Sequence, residues 1–426
     1  MRASTLIGPL VLLWATSCAI GPAKDTSTGG LATVIDSTAD TVIARVDGVV
    51  PENAVRTLVE EIRIAPSAED TSLFTKVSHV AVDRAGRMWA FDESTASVFL
   101  LGPDGKLLRR ISRKGSGPGE IQEASGIATL PDTGLAVWDL GNGRISFFDA
   151  SGAFRTGWRL ANPMPYQGPY VDRNGTLYLN RAVDERDRVI RALEQVVGEL
   201  PGDALLRPNE QGDFADSLVV PRLAIEPVRY AARNRGIRAT YAAPYAPAAL
   251  WALHPDGYLV VGHGGKFEVT IPRRGAKPIV IRRGFVPVPV STREQEEDRA
   301  WITYSLQKTD PSWSWSGPPL PQTKPPLLGL AIGRDGRIWA QVPAPSERIP
   351  DAELETPGAD PKAPLRHYRT LVFFEVFGPD GRFVGKIKCP SRFTLIESDG
   401  ENVWGTTQDE NDLTAIVRYR IQPRLQ

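Results

Sequence analysis

The sequence predicts an all-β fold, a six-bladed β-propeller of four-stranded blades, from three observations. One phrase occurs twice between Val77 and Leu160: an apolar strand, a glycine turn, an apolar-aromatic strand ending in Asp, a third strand, a second turn and a fourth strand. The opening of this phrase returns four more times along the chain. The last copy runs out of chain before its fourth strand. Four short strands closed by turn residues and repeated along a chain are typical of propeller blades.

The turns and aromatic residues support this repeat. The first strands of the two clearest copies start near His79 and Ser125, which are 46 residues apart (125 minus 79). Asp-Gly and Asn-Gly sequences follow most first strands, and they tolerate the positive φ that tight hairpins need. The second strands carry aromatic residues, namely Trp89, Trp138, Tyr178, Tyr258, Trp339 and Trp404. Their fixed place in the repeat predicts packing between blades rather than an aromatic binding box.

The N-terminal segment predicts export. Arg2 supplies a positive charge, and the apolar run from Leu6 to Trp14 is too short to span a membrane. Small residues then precede Cys18, which resembles the lipobox of bacterial lipoproteins with Ala15 where Leu is usual. The resemblance implies a lipidated Cys18 and an extracytoplasmic protein anchored to the outer membrane, with plain secretory cleavage as the alternative. We expect a signal peptide at 1–18, a flexible tether at 19–40 and the propeller at 41–426.

The strand that closes the propeller is predicted from topology. The segment Val55 to Ile64 is apolar at both helical and strand spacings, so its periodicity alone is ambiguous. After Ile421 only Gln422 to Gln426 remain, too few residues for a fourth strand. An N-terminal strand that completes the last blade would remove an open sheet edge. We therefore assign Val55 to Ile64 as the outer strand of blade six.

Composition excludes some classes of partner. Lys plus Arg equals Asp plus Glu, 50 against 50, so the net charge is zero and a nucleic-acid partner is disfavoured. The two cysteines, Cys18 and Cys389, cannot form a disulfide framework, and Cys389 is expected to be a buried thiol. No cofactor is predicted, although calcium remains possible, and we expect a monomer.

Three long segments interrupt the repeat, at 181–248, 286–326 and 343–369. In the second, Ser291 followed three residues later by Glu294 predicts a capped helix that runs to Leu306. In a propeller these loops open on one face, opposite the Asp-Gly turns. We expect a small molecule, a glycan or a protein to bind on this insertion face, at Tyr241, Tyr245, His263, Trp301, Trp313, Trp315 and His367. The alternative is that the tryptophans pack over the propeller, and we expect the Asp-Gly face to be flat.

One motif carries a family resemblance. The segment Gly115-Ser-Gly-Pro-Gly-Glu120, together with Met88 to Asp92 and Pro103-Asp-Gly105, resembles the extracytoplasmic bacterial six-bladed propellers related to NHL repeats. The resemblance covers most of the chain from about Thr41 and implies the fold and, loosely, a binding role. The motif lacks the Gly-Lys-Ser/Thr ending of a phosphate loop, so we expect an inter-blade turn. Related propellers include calcium-dependent lactonases, amidating lyases and strictosidine-synthase-like enzymes, and the fold does not decide among them.

A metal site is the second hypothesis. Acidic or amide residues end the second strands or follow them, at Asp92, Asp139, Asn180 and Asp409. Oxygen ligands suit calcium, and lactonase-like propellers place such residues at the channel mouth. The competing interpretation is that each side chain hydrogen-bonds its own loop. No catalytic constellation stands out, so we favour a lipid-anchored binding module, with a calcium-dependent hydrolase or lyase as the alternative.

Overall fold

The computed structural model describes residues 31–66, 74–161, 167–181, 204–221, 223–225, 228–351, 354, 360–409 and 413–425. These residues form strands and turns, apart from the α-helix Thr292–Gln307 and the short 3-10 helix Glu52–Ala54. Four-stranded antiparallel units recur along the chain. This architecture is nearly all β and is consistent with the β-propeller that the sequence predicts.

The first three units are separate four-stranded sheets. Unit one comprises Val77–Val82, Met88–Asp92, Ser97–Leu101 and Leu107–Arg110. Unit two comprises Ala124–Thr129, Leu135–Asp139, Arg144–Phe148 and Phe154–Arg159. Unit three comprises Gln167–Val171, Leu177–Arg181, Ala204–Pro208 and Phe214–Val219.

The other units belong to larger sheets. Unit four comprises Ala249–Leu253, Leu259–His263, Glu268–Ile271 and Ile279–Arg283. Unit five comprises Gly329–Ile332, Ile338–Arg348, Tyr368–Phe377 and Phe383–Lys388. Unit six comprises Thr394–Ser398, Asn402–Gln408, Thr414–Gln422 and the N-terminal strand Val55–Ile64.

The N-terminal strand completes unit six, as its predicted role requires. Val55–Ile64 pairs antiparallel with Thr414–Gln422, the last strand of the chain. On its other side, it pairs in parallel with Phe383–Lys388 through Lys386 opposite Val55, so units five and six form one eight-stranded sheet. The strand is therefore paired along one side with Thr414–Gln422 and, at Val55 and Arg56, also on its other side.

A second N-terminal element corrects the extent of the predicted tether. Thr33–Ser37 and Val42–Val46 form a hairpin, and Val42–Val46 pairs in parallel with Ile279–Arg283 of unit four. The expected tether at 19–40 therefore ends earlier, and residues 19–30 lie outside the described residues. The physical reason is that Leu31 is buried, and the hydroxyl of Thr33 accepts a hydrogen bond from the Phe383 backbone N–H at 3.0 Å. The short strand Val42–Val46 is sufficient to extend the sheet at the outer edge of unit four.

The first strands of the units lie side by side in a ring. Contacts join units one, two and three, and units four, five, six and one. Between units three and four, the Arg173 N–H donates to the Pro255 carbonyl at 2.8 Å, and the rings of Tyr170 and Trp251 meet edge to face at 5.6 Å. The aromatic residues of the second strands pack in the cores behind this ring, and Trp89, Trp138 and Trp339 are completely buried.

The insertions form their own small layer. Thr292–Gln307 starts with the predicted capping box, in which the side chain of Ser291 and that of Glu294 each bond the other residue's backbone N–H. The hairpin Arg229–Asn234/Ile237–Ala242 packs against this helix, and a two-stranded ladder joins Val288–Pro289 to Thr323–Lys324. Across the described residues, no helix has the length and apolar character needed to cross a membrane.

Candidate functional site

Four of the aromatic residues expected to bind a ligand belong to the core of the insertion layer. Tyr241 meets Trp301 edge to face at 5.3 Å, and Trp313 meets Trp315 in the same way at 6.1 Å. Trp315 also packs on Tyr230, whose ring is buried, and the Trp313 indole N–H donates to the Ala231 carbonyl at 3.0 Å. These contacts support the packing alternative for the tryptophans, since their faces are used to hold the hairpin on the helix.

Tyr245 and His367 lie where the helix meets the extended hairpin of unit five. The His367 ring and backbone N–H both contact the Glu297 carboxylate, at 2.9 and 2.8 Å, and Arg366 pairs with Asp298 at 3.1 Å. Burial raises the pKa of Asp298, and burial together with a hydrogen bond to Asp298 raises the pKa of Tyr245. Of the seven expected residues, Tyr245 lines a cavity of about 430 Å³ here. The arrangement is a clamp that fixes the insertions to unit five.

The residues at the end of the second strands bind their own loops. The Asp92 carboxylate accepts hydrogen bonds from the backbone of Thr75, Lys76 and Ser94 at 2.9–3.2 Å, and from the hydroxyls of Ser94 and Thr95. Burial would raise the pKa of Asp92, but these bonds outweigh it and the pKa is lowered. The Asp139 carboxylate accepts from the backbone of Gln122 and Glu123 and from the Asn142 side chain. In unit four, His263 has the same role, since its Nδ1 accepts from the Gly265 N–H at 3.2 Å.

The other two candidate metal ligands make local hydrogen bonds, although the side-chain oxygen of Asn180 is buried without a partner among the described residues. The Asn180 amide donates to the Gln167 side chain at 3.2 Å, and the Asp409 carboxylate accepts from the Leu413 N–H at 2.9 Å. Within the part of the chain that the structure describes, no group of three or more His, Cys, Asp or Glu side chains could hold a metal ion. Asp92, Asp139 and Asp409 therefore do not form such a group with one another in the described structure.

Two further sequence expectations concern turns and termini. In the segment Gly115 to Glu120, the Glu120 carboxylate accepts from the Gly117 N–H at 2.8 Å, and Arg144 donates to three of the segment's carbonyls. This is the inter-unit turn that the sequence predicts. Cys18 lies outside the described residues. Cys389 is buried, and its burial raises its pKa to about 12.

Cavities open at both ends of the ring of first strands. At the end where the strands begin, a cavity of about 510 Å³ is lined by His79, Ser125, Tyr170 and Thr394, among others, and burial lowers the pKa of His79. At the opposite end, by the glycine turns, a cavity of about 530 Å³ is lined by Arg84, Arg173, Arg334 and Glu397. The expectation of a flat Asp-Gly face is therefore wrong, because residues at the turn ends of the first strands surround a hollow.

A further pocket lies between units four and five, on the insertion side. It measures about 320 Å³ and is bounded by the segments 48–50 and 284–289 and by residues 342–345 of the strand Ile338–Arg348, with Phe267 and Phe373 also in its lining. The walls are apolar and rich in proline, and Val49, Phe285 and Val286 at its mouth expose 68%, 45% and 71% of their surfaces. We call it the interunit pocket. An apolar concavity with few charged groups is the usual form of a small-molecule site.

The charged groups of the interunit pocket form a buried cluster. The Arg283 Nε donates to the Glu375 carboxylate at 2.8 Å, and both side chains are 5% exposed. The Arg283 guanidinium also donates to the carbonyls of Val46, Gly48 and Gly284, so its hydrogen-bonding capacity is used. Lys324 is similarly satisfied by Ala344, Ser346 and Glu294. These two cations are therefore structural.

Lys386 differs from the other two cations. Its ammonium lies 3.9 Å from Glu375, a longer separation than an ordinary hydrogen bond, and 4.7 Å from the centre of the Phe373 ring. Burial lowers its pKa, and the nearby Arg283 adds to this effect, although Glu375 opposes it. Its side chain remains 24% exposed to the pocket. Lys386 is thus the cation that retains donors for a ligand.

Sequence reasoning did not identify this pocket. Its one signal was Glu375, an acidic residue inside the apolar run from Leu371 to Phe377, with Lys386 in the next strand. Arg283 and the loop 48–50 come from distant parts of the chain, and the pairing of Val42–Val46 with unit four brings them together. That pairing has no local sequence signature.

Known proteins resemble this chain only distantly. No family model matches the sequence, and no curated protein does. Similar solved structures include a provisionally described exported protein from Bacteroides fragilis NCTC 9343, at 10% identity and a TM-score of 0.47 over 90% of this chain and 99% of that one. Another is virginiamycin B lyase from Staphylococcus aureus, at 12% identity and a TM-score of 0.36 over 84% of this chain and 98% of that one. A third is the calcium-binding protein regucalcin from Agrobacterium tumefaciens C58, at 12% identity and a TM-score of 0.35 over 87% of this chain and 97% of that one. Similarity at this level says nothing about a shared ligand or reaction.

Proposed function

We propose that the chain is a six-bladed β-propeller that acts outside the cytoplasm as a binding module, with the interunit pocket as its ligand site. The ring of six first strands and the closure of unit six by Val55–Ile64 support the blade number. The pocket supports the binding role, because it combines apolar walls with a single cation that has unused donors. Its ligand is a small amphiphile with an apolar body and one anionic group.

Lys386 is the observation that carries this proposal. A lysine placed among apolar side chains is unfavourable unless a charged partner compensates for the lost hydration. Glu375 is shared with Arg283, which holds it at shorter distance, so Lys386 is only partly compensated. An anionic ligand group beside Lys386 would complete the pairing, while its apolar part would cover the walls and the exposed rim at Phe285 and Val286.

The position of the pocket relative to the N-terminus supports the export and anchoring part of the proposal. The Leu31 side chain approaches Gly48, which lines the pocket, so the chain enters its fold beside this site. Lipidation of Cys18, thirteen positions earlier (31 minus 18), would keep the pocket within about 45 Å of a membrane surface even if the segment were fully extended. Amphiphilic molecules concentrate at such surfaces.

The test is titration of the protein with octanoate, with octan-1-ol as the uncharged control. We expect saturable octanoate binding that Lys386→Gln weakens about tenfold or more, because a charge-assisted hydrogen bond is lost. Lys388→Gln is the matched control, since Lys388 is two residues away on the same strand but exposed. Ala344→Phe, which fills the pocket and keeps Lys386, should abolish binding of both probes. Equal affinities of the Lys386 and Lys388 variants would overturn the proposal.

A further inference from the structure

The cavity at the Asp-Gly end of the ring has an unusual combination of walls and charges. The ends of all six first strands bound it, and its volume is about 530 Å³. Val82, Val171, Leu253 and Ile332 supply apolar wall between the units. Three arginines, Arg84, Arg173 and Arg334, stand at its mouth. We call it the axial cavity.

The arginines occupy one position in the repeat. Arg84, Arg173 and Arg334 are each the second residue of the turn after the first strand, in units one, three and five. In units two and four the same position is Pro131 and Pro255, which carry no charge and have no N–H. The positive charges therefore come from alternate units and surround the axis.

Two of the arginines are held in place by the protein. Arg334 donates to the carbonyl of Asp83 at 2.9 Å, lies 3.8 Å from Glu397 and stacks over Trp404. Arg173 pairs with Asp256 at 2.7 Å. These contacts fix two guanidiniums before any ligand arrives, which lowers the entropy lost on binding.

Arg84 is the third, and it reaches across the mouth. Its Nη2 donates to the Arg173 carbonyl at 3.4 Å, a long hydrogen bond from unit one to unit three, and the residue is exposed. Among the described residues this is its one hydrogen bond, so most of its five donors remain available. Asp172 also lines the cavity, but its carboxylate is taken by the N–H groups of Asn174 and Thr176 and by the Tyr178 hydroxyl.

We propose that the axial cavity is a second binding site, which takes a small organic dianion of the dicarboxylate class through Arg84, Arg173 and Arg334. Guanidinium groups bind carboxylates in a bidentate manner, and two carboxylates match three arginines spread around one mouth. The apolar walls favour an organic anion over an inorganic one, because its carbon chain would cover them. This site is distinct from the interunit pocket and does not depend on it.

Glu397 makes the site sensitive to pH. Its carboxylate accepts from the backbone N–H groups of Arg334 and Ser398, and it faces the Arg334 guanidinium with Asp335 nearby. Burial, aided slightly by Asp335, raises the pKa of Glu397 to about 7 despite the opposing effect of Arg334. When Glu397 is protonated, the charge of Arg334 is no longer paired with that carboxylate and can pair with an anionic ligand, while Asp83 and Trp404 still hold its guanidinium. Binding should therefore be tighter below this pKa than above it.

The experiment is calorimetric titration of the full chain with adipate, with hexane-1,6-diol as the uncharged control of the same length. We expect adipate to bind and the diol not to bind. Arg84→Gln should weaken adipate binding about tenfold or more, through loss of a charge-assisted contact. Arg109→Gln is the matched control, since Arg109 is also exposed and donates to one backbone carbonyl of another unit, that of Ser151 at 3.0 Å.

Two further variants separate this site from the alternatives. Lys386→Gln should leave adipate affinity unchanged, so loss of binding there would assign the anion to the interunit pocket and overturn the axial proposal. Glu397→Gln should bind adipate equally well at about pH 6 and about pH 8, whereas the unmodified protein should bind more weakly at the higher pH. Equal affinities of the Arg84 and Arg109 variants, or equal heats for adipate and the diol, would also overturn it.

Discussion

Leu58 lies directly opposite Ile421 in neighbouring antiparallel strands, so an N-terminal strand and the last described strand are joined in one sheet. Thr57 pairs with Gln422 in the same ladder, and on the other side of the N-terminal strand Val55 pairs with Lys386 of unit five. Closure therefore involves contacts between residues far apart in sequence. Such contacts form only after a large loss of chain entropy, so the strand must contribute substantial packing to offset it.

The first prediction tests that contribution. Ile64 on the N-terminal strand is 6% exposed and packs with Phe74, Met88 and Trp404, whereas Val59 on the same strand is 41% exposed. Ile64→Ala should lower the free energy of unfolding by about 3 kcal/mol, from lost burial and the cavity left behind. Val59→Ala should change it by less than about 0.5 kcal/mol. Urea unfolding curves would measure both, and equal midpoints would show that the strand is not part of the core.

The closure was predictable because sheet topology is a global constraint that the sequence expresses directly. A last blade with three strands needs a fourth, and Val55–Ile64 was available. By contrast, the hairpin Thr33–Ser37/Val42–Val46 completes nothing that the repeat requires. It adds to the outer edge of a unit that already has four strands. Whether a strand adds to a sheet edge depends on how well two segments that are distant in sequence pack together, and a repeat pattern does not predict this.

The second prediction concerns export. Cys18→Ala should abolish incorporation of radiolabelled fatty acid and move the protein from the membrane fraction to the soluble fraction. The reason is that the thiol of Cys18 is the expected attachment point for the lipid. Cys389→Ala is the control, because Cys389 is buried and should have no effect on fractionation. If the unmodified protein takes up no labelled fatty acid, and if Cys18→Ala fractionates in the same way as the unmodified protein, the result would favour simple secretory cleavage instead.

The third prediction separates structural from metal-binding carboxylates. Asp92 is completely buried and accepts five hydrogen bonds, so Asp92→Asn places an amide N–H₂ against donors. We expect a loss of about 2–3 kcal/mol of unfolding free energy, equal with excess calcium and with a chelator. Asp409→Asn, at an exposed position, should lose less than about 1 kcal/mol. A calcium-dependent rise in melting temperature that Asp92→Asn removes would restore the metal hypothesis.

The candidate sites were harder to predict than the fold, because the sequence does not show which residues meet in space. Trp301, Trp313 and Trp315 were noticed because aromatic residues outside a repeat suggest binding, and in the structure they are partly buried and pack against the core of an insertion. Arg84, Arg173 and Arg334 were present in the repeat yet looked like ordinary turn residues. The three arginines come together only because the ring places turns from alternate units around one axis. Sequence periodicity identifies equivalent positions but not the distance between them.

The last prediction concerns Glu397, which lines the axial cavity, and the effect of its titration on the free energy of unfolding. Its pKa is raised from 4.5 to about 7 by burial, so the folded state binds a proton more tightly than the unfolded state. Between these two values the unfolded chain loses the proton first, and unfolding becomes easier as the pH rises. The contribution of Glu397 to the free energy of unfolding should therefore be greatest below about pH 4.5, and it should be lost as the pH rises to about 7.

The comparison is between the unmodified protein and Glu397→Gln, which stays neutral at every pH. Because 25% of the Glu397 side chain is exposed, we expect the variant to gain only about 1–2 kcal/mol relative to the unmodified protein as the pH rises from 4.5 to 8. Urea midpoints at the two pH values would measure it. Glu401→Gln is the control, since Glu401 is exposed and should show no such gain. A constant difference between Glu397→Gln and the unmodified protein at both pH values would mean that the Glu397 carboxyl has the same pKa in the folded and unfolded states, and that burial does not raise it.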